Sequence, residues 1–145
     1  APVSTIMTKD LITVNPEDSL EVVKKHFDEK PIHHIPVVRF QEIVGLISIK
    51  DLQFFLRGTA QNPTDTIIEE MRLRSWKAKD IMTTKLAKVD VEDSIRTVVD
   101  IFKLNRIHAL PVLKDAKLVG IVTTHDIIAR LADEPISLED YQNKN

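Results

Sequence analysis

The sequence contains no cysteine and only three glycines in 145 residues. Without cysteine there is no disulfide, no thiolate nucleophile, no cysteine-ligated zinc and no iron–sulfur cluster. The glycines, Gly45, Gly58 and Gly120, lie too far apart for a GxxxxGK[ST] phosphate loop or a GxGxxG dinucleotide turn. These absences exclude several large classes of enzyme, and the lack of cysteine fits a reducing, cytoplasmic location.

Long apolar runs and an excess of one sign of charge are also missing. The longest apolar stretches, such as Leu118 to Val122, are of strand length, far below the roughly 18 to 20 residues that span a bilayer. The N-terminus lacks the charged-then-apolar pattern of a signal peptide. With 20 basic and 22 acidic residues the net charge is −2. We therefore expect neither direct membrane contact nor a nucleic-acid partner.

What the sequence does contain is a repeat of its first half in its second half. Ile6-Met7-Thr8 recurs 75 residues later as Ile81-Met82-Thr83, and the same offset holds without a gap as far as Asp51 and Asp126. A register of that length does not arise by chance. The matched pairs include Val14 with Val89, Ser19 with Ser94, Phe27 with Phe102, His33 with His108, Pro36 with Pro111 and Gly45 with Gly120.

Each copy is predicted to run strand, helix, strand, strand, helix. In the first copy, Asn15 to Asp18 has the composition of a helix start, with a capping residue followed by a proline. Apolar residues then follow at helical spacing, and two apolar runs around the polar Arg39 to Glu42 predict a hairpin. A second helix is predicted from about Ile49 to Leu56. The helical apolar positions are Leu20, Val23 and Phe27, and the strand runs are Ile35 to Val38 and Ile43 to Ile47.

The two copies are expected to pack as one module, because a unit of about 60 residues buries too little surface to be stable alone. This predicts an α+β fold of helices and small mixed sheets with pseudo-twofold symmetry. The expected boundaries are residues 1–60 and 75–133 for the repeats, 61–74 for a linker and 134–145 for a mobile polar tail. Between the repeats we predict a loop over Arg57 to Asp65 and a helix over Thr66 to Trp76, with Ile67, Ile68 and Met71 available to pack.

The order of elements, the duplication and three repeated phrases resemble a tandem pair of cystathionine beta-synthase (CBS) domains, also called a Bateman module. The phrases are the Ile-Met-Thr opening, x-His-x-x-Pro-Val, and Gly-x-x-[Ser/Thr]-x-x-Asp, which reads from Gly45 to Asp51 and from Gly120 to Asp126. The resemblance covers residues 1 to 133. It implies a regulatory module that binds AMP, ADP, ATP or S-adenosylmethionine in clefts between the repeats and that often forms homodimers.

The Gly-x-x-[Ser/Thr]-x-x-Asp phrase has two interpretations. Ser48 and Thr123 each stand at a helix start, where free N–H groups and the helix dipole favour a phosphate. One turn later, Asp51 or Asp126 could accept two hydrogen bonds from a ribose diol. The same spacing is also a capping box that satisfies only the helix. The residues leave both interpretations open, and the resemblance favours the ribose.

The resemblance implies two sites, each built from both repeats. The preferred cleft has apolar residues suited to an adenine face, whereas Ala87 gives the other a looser wall. His33 and His108 either donate to a phosphate or bond to backbone at the strand ends. Metal is not expected, because the adjacent His33 and His34 point to opposite faces of a strand. The preferred cleft comprises Ile12, Ile32, His33, Thr123, His125 and Asp126, and the second comprises Ala87, Ile107, His108, Ser48, Lys50 and Asp51.

Three classes of function were compared on these residues. An enzyme is disfavoured because GxSxG is absent and the candidate acids and bases are duplicated rather than assembled into one asymmetric site. The leading hypothesis is a nucleotide-sensing module that requires no cofactor and acts on a fused or partner effector domain. The alternative is a structural dimerisation module with unoccupied clefts. Apolar candidates for self-association are Phe54, Phe55, Leu56 and Leu131.

Overall fold

The computed structural model describes residues 1–57 and 63–133, with only the backbone described at 63–65. The predicted tail and part of the predicted loop after Arg57 lie outside these residues. Within the described part, no helix is long and apolar enough to cross a membrane. After a short 3-10 helix at Val3–Thr5, the elements are α1 (Leu20–Glu29), β1 (His34–Arg39), β2 (Glu42–Ser48), α2 (Ile49–Leu56), α3 (Pro63–Ser75), α4 (Ala78–Ile81), β3 (Val89–Asp90), α5 (Ile95–Leu104), β4 (Ala109–Lys114), β5 (Lys117–Thr123) and α6 (Thr124–Asp133).

Helix α1 begins four residues later than its capping pattern predicts, so the predicted start at Asn15 is wrong. The Asn15 N–H donates to Asp18 Oδ2 at 2.9 Å, and these side chains close a turn on their own backbone. The cap is Ser19, whose Oγ accepts from the Val22 N–H at 3.4 Å. Ser94 caps α5 in the same way, so the repeat extends to the details of capping.

The strands form two small sheets with matching irregularities. β1 and β2 pair antiparallel, and β4 and β5 do the same with β3 added in parallel. A bulge follows Val37 in the first repeat and the equivalent Val112 in the second. In the first repeat, the predicted opening strand is only an isolated parallel bridge between Val14 and Val37. The two hairpins therefore carry most of the sheet structure.

Each repeat completes its core with a residue from the opening segment of the other repeat. Ala78, which precedes the second repeat's Ile-Met-Thr phrase, is fully buried in the core of the first repeat. Val3, its equivalent 75 residues earlier, is fully buried in the core of the second. Each core therefore takes in residues of the other copy, so the two repeats pack against each other.

Helix α3 packs through a residue other than those expected. Ile67, Ile68 and Met71 are exposed by 60, 50 and 61%, so the expectation that they pack is wrong. Leu73 is buried instead and joins the core of the first repeat. The helix lies against α1, while these three apolar side chains are exposed to solvent.

Candidate functional site

A cavity of about 450 Å³ lies between the two repeats. Its lining comes from the segment that opens the first repeat, the start of β1, the residue before β4, and the end of β5 with the first turn of α6. The lining residues are Thr8, Asp10, Leu11, Ile12, Pro31, Ile32, His33, His34, Pro36, His108, Ile121, Thr123, Thr124, His125 and Asp126.

Backbone hydrogen bonds hold the opening segment across both repeats. The Thr8 N–H donates to Ile121 O at 2.8 Å, and the Ile121 N–H donates to Thr8 O at 3.0 Å, which joins the segment to β5. Six residues later, the Val14 N–H donates to Pro36 O at 3.1 Å, which joins it to β1 of its own repeat. Ile12 and its neighbours are therefore stretched along the cavity between two fixed ends.

The first turn of α6 carries a capping box at the cavity wall. The Thr123 N–H donates to Asp126 Oδ2 at 2.9 Å, and the Asp126 N–H donates to Thr123 Oγ1 at 3.2 Å. The matching box at the start of α2 joins Ser48 and Asp51 at 2.8 and 3.1 Å. Both carboxylates are thus helix caps, and the capping interpretation describes the geometry of both. Only Asp126 lines this cavity, with one carboxylate oxygen, Oδ2, in the cap.

Four histidines line the cavity and are positioned by the backbone of both repeats. The Thr124 N–H donates to His108 O at 3.0 Å, and the equivalent Ile49 N–H donates to His33 O at 2.8 Å. Burial lowers the pKa of His34, and positive charge on His33 and His108 lowers it further, against an opposing effect of Asp51. The pKa of His34 therefore depends on the charge of histidines from both repeats.

All six residues predicted for the preferred cleft line this one cavity. The sequence reasoning missed other lining residues, chiefly Asp10, Leu11, His34 and His108. His108 had been assigned to the second cleft alone. No sequence signal places it here, because the repeat relates His33 to His108 but carries no measure of how closely the two copies approach.

The residues predicted for the second cleft lie in different places. Asp51 lines a cavity of about 630 Å³ with Phe54, Phe55 and Trp76. His108 lines the first cavity, and Ile107 is half-buried against the core of the second repeat. Ala87 and Lys50 are exposed, and Ser48 caps α2. The first cavity is therefore the stronger candidate site.

Histidines and carboxylates, which are common metal ligands, both line this cavity. Among residues 1–57 and 63–133, no group of three or more histidine, aspartate or glutamate side chains has the geometry to hold a metal ion. The described lining offers hydrogen bonding with imidazoles, with two carboxylates and with a helix N-terminus, beside the apolar side chains of Leu11, Ile12, Ile32 and Ile121.

These features are those of a duplicated module with an inter-repeat cavity, and comparison with known proteins identifies the family. The CBS domain model matches residues 3–58 and again residues 78–133. The chain therefore belongs to the CBS domain family, as a tandem pair, and the resemblance and the predicted fold class are confirmed.

The relatives differ in the size of the protein that carries the pair. A CBS domain-containing protein of Dictyostelium discoideum is 34% identical over 133 residues, covering 87% of this chain and 88% of the relative. An inosine-5′-monophosphate dehydrogenase of Thermoplasma acidophilum is 30% identical over 127 residues, covering 87% of this chain but 23% of the enzyme. This chain thus spans about a quarter of such a dehydrogenase.

A solved structure with the same fold carries adenosine compounds. The crystal structure of the CBS domain pair of protein MJ0100, in complex with 5′-methylthioadenosine and S-adenosyl-L-methionine, superposes with a TM-score of 0.71. Sequence identity is 22%, and the match covers 91% of this chain and 96% of that one. At this identity the comparison establishes the shared fold.

Proposed function

We propose that this chain is a regulatory module that binds an adenosine-containing ligand in the cavity between its repeats. The observation that carries the proposal is that Ile12, Ile32 and His33 of the first repeat and Thr123, His125 and Asp126 of the second surround one cavity of about 450 Å³. Pockets for small ligands have volumes of about 300 to 1,000 Å³. A tandem CBS pair that binds 5′-methylthioadenosine and S-adenosylmethionine supports the ligand class.

The lining residues suggest how each part of the ligand would be held. Ile12 and Ile32 offer apolar contact to an adenine ring and backbone groups to its edge. Asp126 would accept from the ribose hydroxyls while Oδ2 keeps its bond to the Thr123 N–H. A phosphate of AMP, ADP or ATP would lie near the N-terminus of α6 and the histidines.

Regulation would follow from where the cavity lies. A ligand that touches both repeats binds one of their relative arrangements more tightly than another, and so shifts the population toward it. The readout would be a fused or partner effector domain, since related pairs occur within dehydrogenases about four times as long as the matched region. The pair itself carries out no catalysis in this scheme, and we place it in the cytoplasm.

The test is calorimetric titration of the purified chain with AMP, ADP, ATP and S-adenosylmethionine. At least one should bind, and Asp126→Asn should weaken that binding roughly tenfold, because charge-assisted hydrogen bonds to ribose are lost. Asp51→Asn is a matched control, since it removes the carboxylate of the equivalent capping box outside this cavity. Both variants should lose about 1 kcal/mol of stability from the cap, but only Asp126→Asn should lose affinity.

The competing function is a structural dimerisation module with empty clefts. No heat with any of the four compounds at millimolar concentration would favour it. Equal affinity of both aspartate variants for a ligand that does bind would show that the cavity has been assigned wrongly.

Self-association is proposed for either function. Phe54 on α2 is 70% exposed and Leu131 on α6 is 58% exposed, whereas Phe55 is half-buried against the first core. The two helices are equivalent in the repeats, so a surface that contains both can complement itself about a twofold axis. Sedimentation should show a homodimer at micromolar concentration, and Phe54→Ser with Leu131→Ser should shift it to monomer. A wild-type monomer would refute the proposal.

A further inference from the structure

Four of the five histidines in the chain line the candidate cavity. His33 and His34 come from the beginning of the β1 region, His108 precedes β4, and His125 lies in the first turn of α6. The fifth, His26, is on α1. Duplication alone does not explain this cluster, because the repeat relates only His33 to His108.

The cavity has no fixed positive charge in its described lining, which includes no lysine or arginine. The other charged groups that line it are Asp10, from the opening segment, and Asp126, from α6; Asp51, on α2, acts on His34 from nearby. Carboxyl groups offer a ligand negative charge and no positive charge. Among the described lining residues, only the histidines can supply positive charge to a ligand.

Fixed cations stand at the positions that the repeat makes equivalent to three of the lining residues, one in the first repeat and two in the second. Lys50 corresponds to His125, Lys85 corresponds to Asp10, and Arg106 corresponds to Pro31. A permanent positive charge thus stands in one repeat where a titratable or neutral group stands in the other. The lack of fixed positive charge in the described lining is therefore not a feature that the two repeats share.

The histidines also influence one another across the boundary between the repeats. Burial lowers the pKa of His34, and the charges of His33 and His108 lower it further. Protonation of the cluster is therefore coupled, and an anion placed among the imidazoles would favour their charged forms.

We infer that the histidine cluster makes the cavity select adenosine compounds by charge, and that the selection changes with pH. Histidine is the side chain that ordinarily changes its charge between pH 5 and 8, so a lower pH favours an anionic group on the ligand, and a higher pH favours uncharged or cationic adenosine compounds beside the aspartates. The inference rests on the proposed function and adds to it that the cavity distinguishes ligands by their charge.

The probes are adenosine and adenosine 5′-sulfate, which carry the same nucleoside. The sulfate keeps one negative charge throughout this range, whereas the second phosphate proton of AMP dissociates near pH 6 and would confuse the result. Calorimetry at about pH 6 and about pH 8 should show roughly tenfold tighter binding of the sulfate at the lower pH and little change for adenosine.

A double variant, His33→Gln with His108→Gln, should reduce the pH dependence for the sulfate, and His26→Gln should leave it unchanged. Proton NMR of the wild-type histidine rings provides a measurement without any variant. By linkage, bound sulfate should raise the titration midpoints of the cavity histidines and not that of His26.

The outcomes separate this inference from the proposed function. Binding of both probes with the same pH dependence, or unmoved histidine midpoints on sulfate binding, would overturn the inference and leave adenosine binding intact. Failure of both probes to bind at either pH would overturn both. If the double variant does not fold, the wild-type profile and the NMR titration still decide the question.

Discussion

The sulfur of Met7 lies 2.5 Å from the position that a β-carbon on Gly120 would occupy. The same relationship joins Met82 to Gly45, at positions 75 residues away along the repeat. Each methionine belongs to the opening phrase of one repeat, and each glycine belongs to the last strand of the other. Glycine at these two positions therefore allows the side chain of the opposite repeat to pack directly on the sheet.

Replacing either glycine by alanine should destabilise the pair. A β-carbon at Gly45 would lie 2.7 Å from Met82 Cγ and 2.9 Å from Met82 Cβ, so rotation of the methionine cannot relieve the clash. Overpacking of this kind costs about 1 to 3 kcal/mol. Urea unfolding of Gly45→Ala should show that loss, with a similar loss for Gly120→Ala.

The rescue experiment isolates the contact. In the Gly45→Ala background, Met82→Ala should recover part of the lost stability, although Met82→Ala alone removes packing. Additive losses in the double variant would mean that the methionine is not the cause.

The sequence repeat predicted much of the fold. Its register is a property of the whole sequence, so one offset located both hairpins and the helix from Ile49 to Leu56 without any three-dimensional information. The capping pattern was less informative about the start of helix α1, because the same residue types occur in helix caps and in turns. Asn15 and Asp18 suit a helix cap, but their side chains close the turn that precedes the Ser19 cap.

The candidate site was predictable only in part for a related reason. The resemblance to tandem CBS domains assigned the residues of the preferred cleft, position by position. It could not show that His34 and His108 share the same cavity, because that depends on how closely the two copies approach at their symmetry axis. Side-chain spacing within one copy contains no measure of that distance.

Both hairpins turn through two non-glycine residues in the left-handed region. Phe40 and Gln41 have φ of 50 and 69°, and Asp115 and Ala116 have φ of 52 and 66°. Such turns favour Asn-Gly, because asparagine and glycine tolerate positive φ. Replacing Phe40-Gln41 by Asn-Gly should stabilise the protein by on the order of 1 kcal/mol, measured by thermal unfolding.

Phe40 is 92% exposed, so its removal costs little packing. The same replacement at Asp115-Ala116 should have the same sign, and a decrease in melting temperature at both turns would contradict this account.

An ion-pair network joins the turn before α1 to the start of the second repeat. Glu17 Oε2 lies 2.7 Å from Lys77 Nζ and Oε1 lies 2.9 Å from Lys79 Nζ. Hydrogen bonds from Lys77 and then Lys79 lower the pKa of Glu17 from its ordinary 4.5 to about 2. Because the folded-state pKa is lowered, the stabilisation is present above about pH 4.5 and is lost as the pH falls toward about 2.

Glu17→Gln should therefore be less stable than the wild type at neutral pH, and the difference should shrink as the pH falls through that window. Acid titration of thermal stability measures it, and high salt should reduce it because the pairs are half-exposed. Replacing Lys77 and Lys79 together by glutamine should remove the same pH-dependent part of the thermal stability. A difference in thermal stability between wild type and Glu17→Gln that stays constant at all pH values would argue against stabilisation by the ion pairs.

Helix α3 lies between the two matched repeats, and Leu73 tests how much it stabilises the first repeat. Its side chain is 6% exposed in the first core, whereas Ile68 on the same helix is 50% exposed. Truncating a buried leucine to alanine lowers the free energy of unfolding by about 2 to 5 kcal/mol. Truncating an exposed apolar residue lowers it by about 0.5 kcal/mol or less. Denaturant unfolding should therefore show a large loss for Leu73→Ala and a small one for Ile68→Ala. Because the two cores share residues across the repeats, Leu73→Ala should still unfold in a single transition; a separate early transition of one repeat would show that α3 stabilises only its own half.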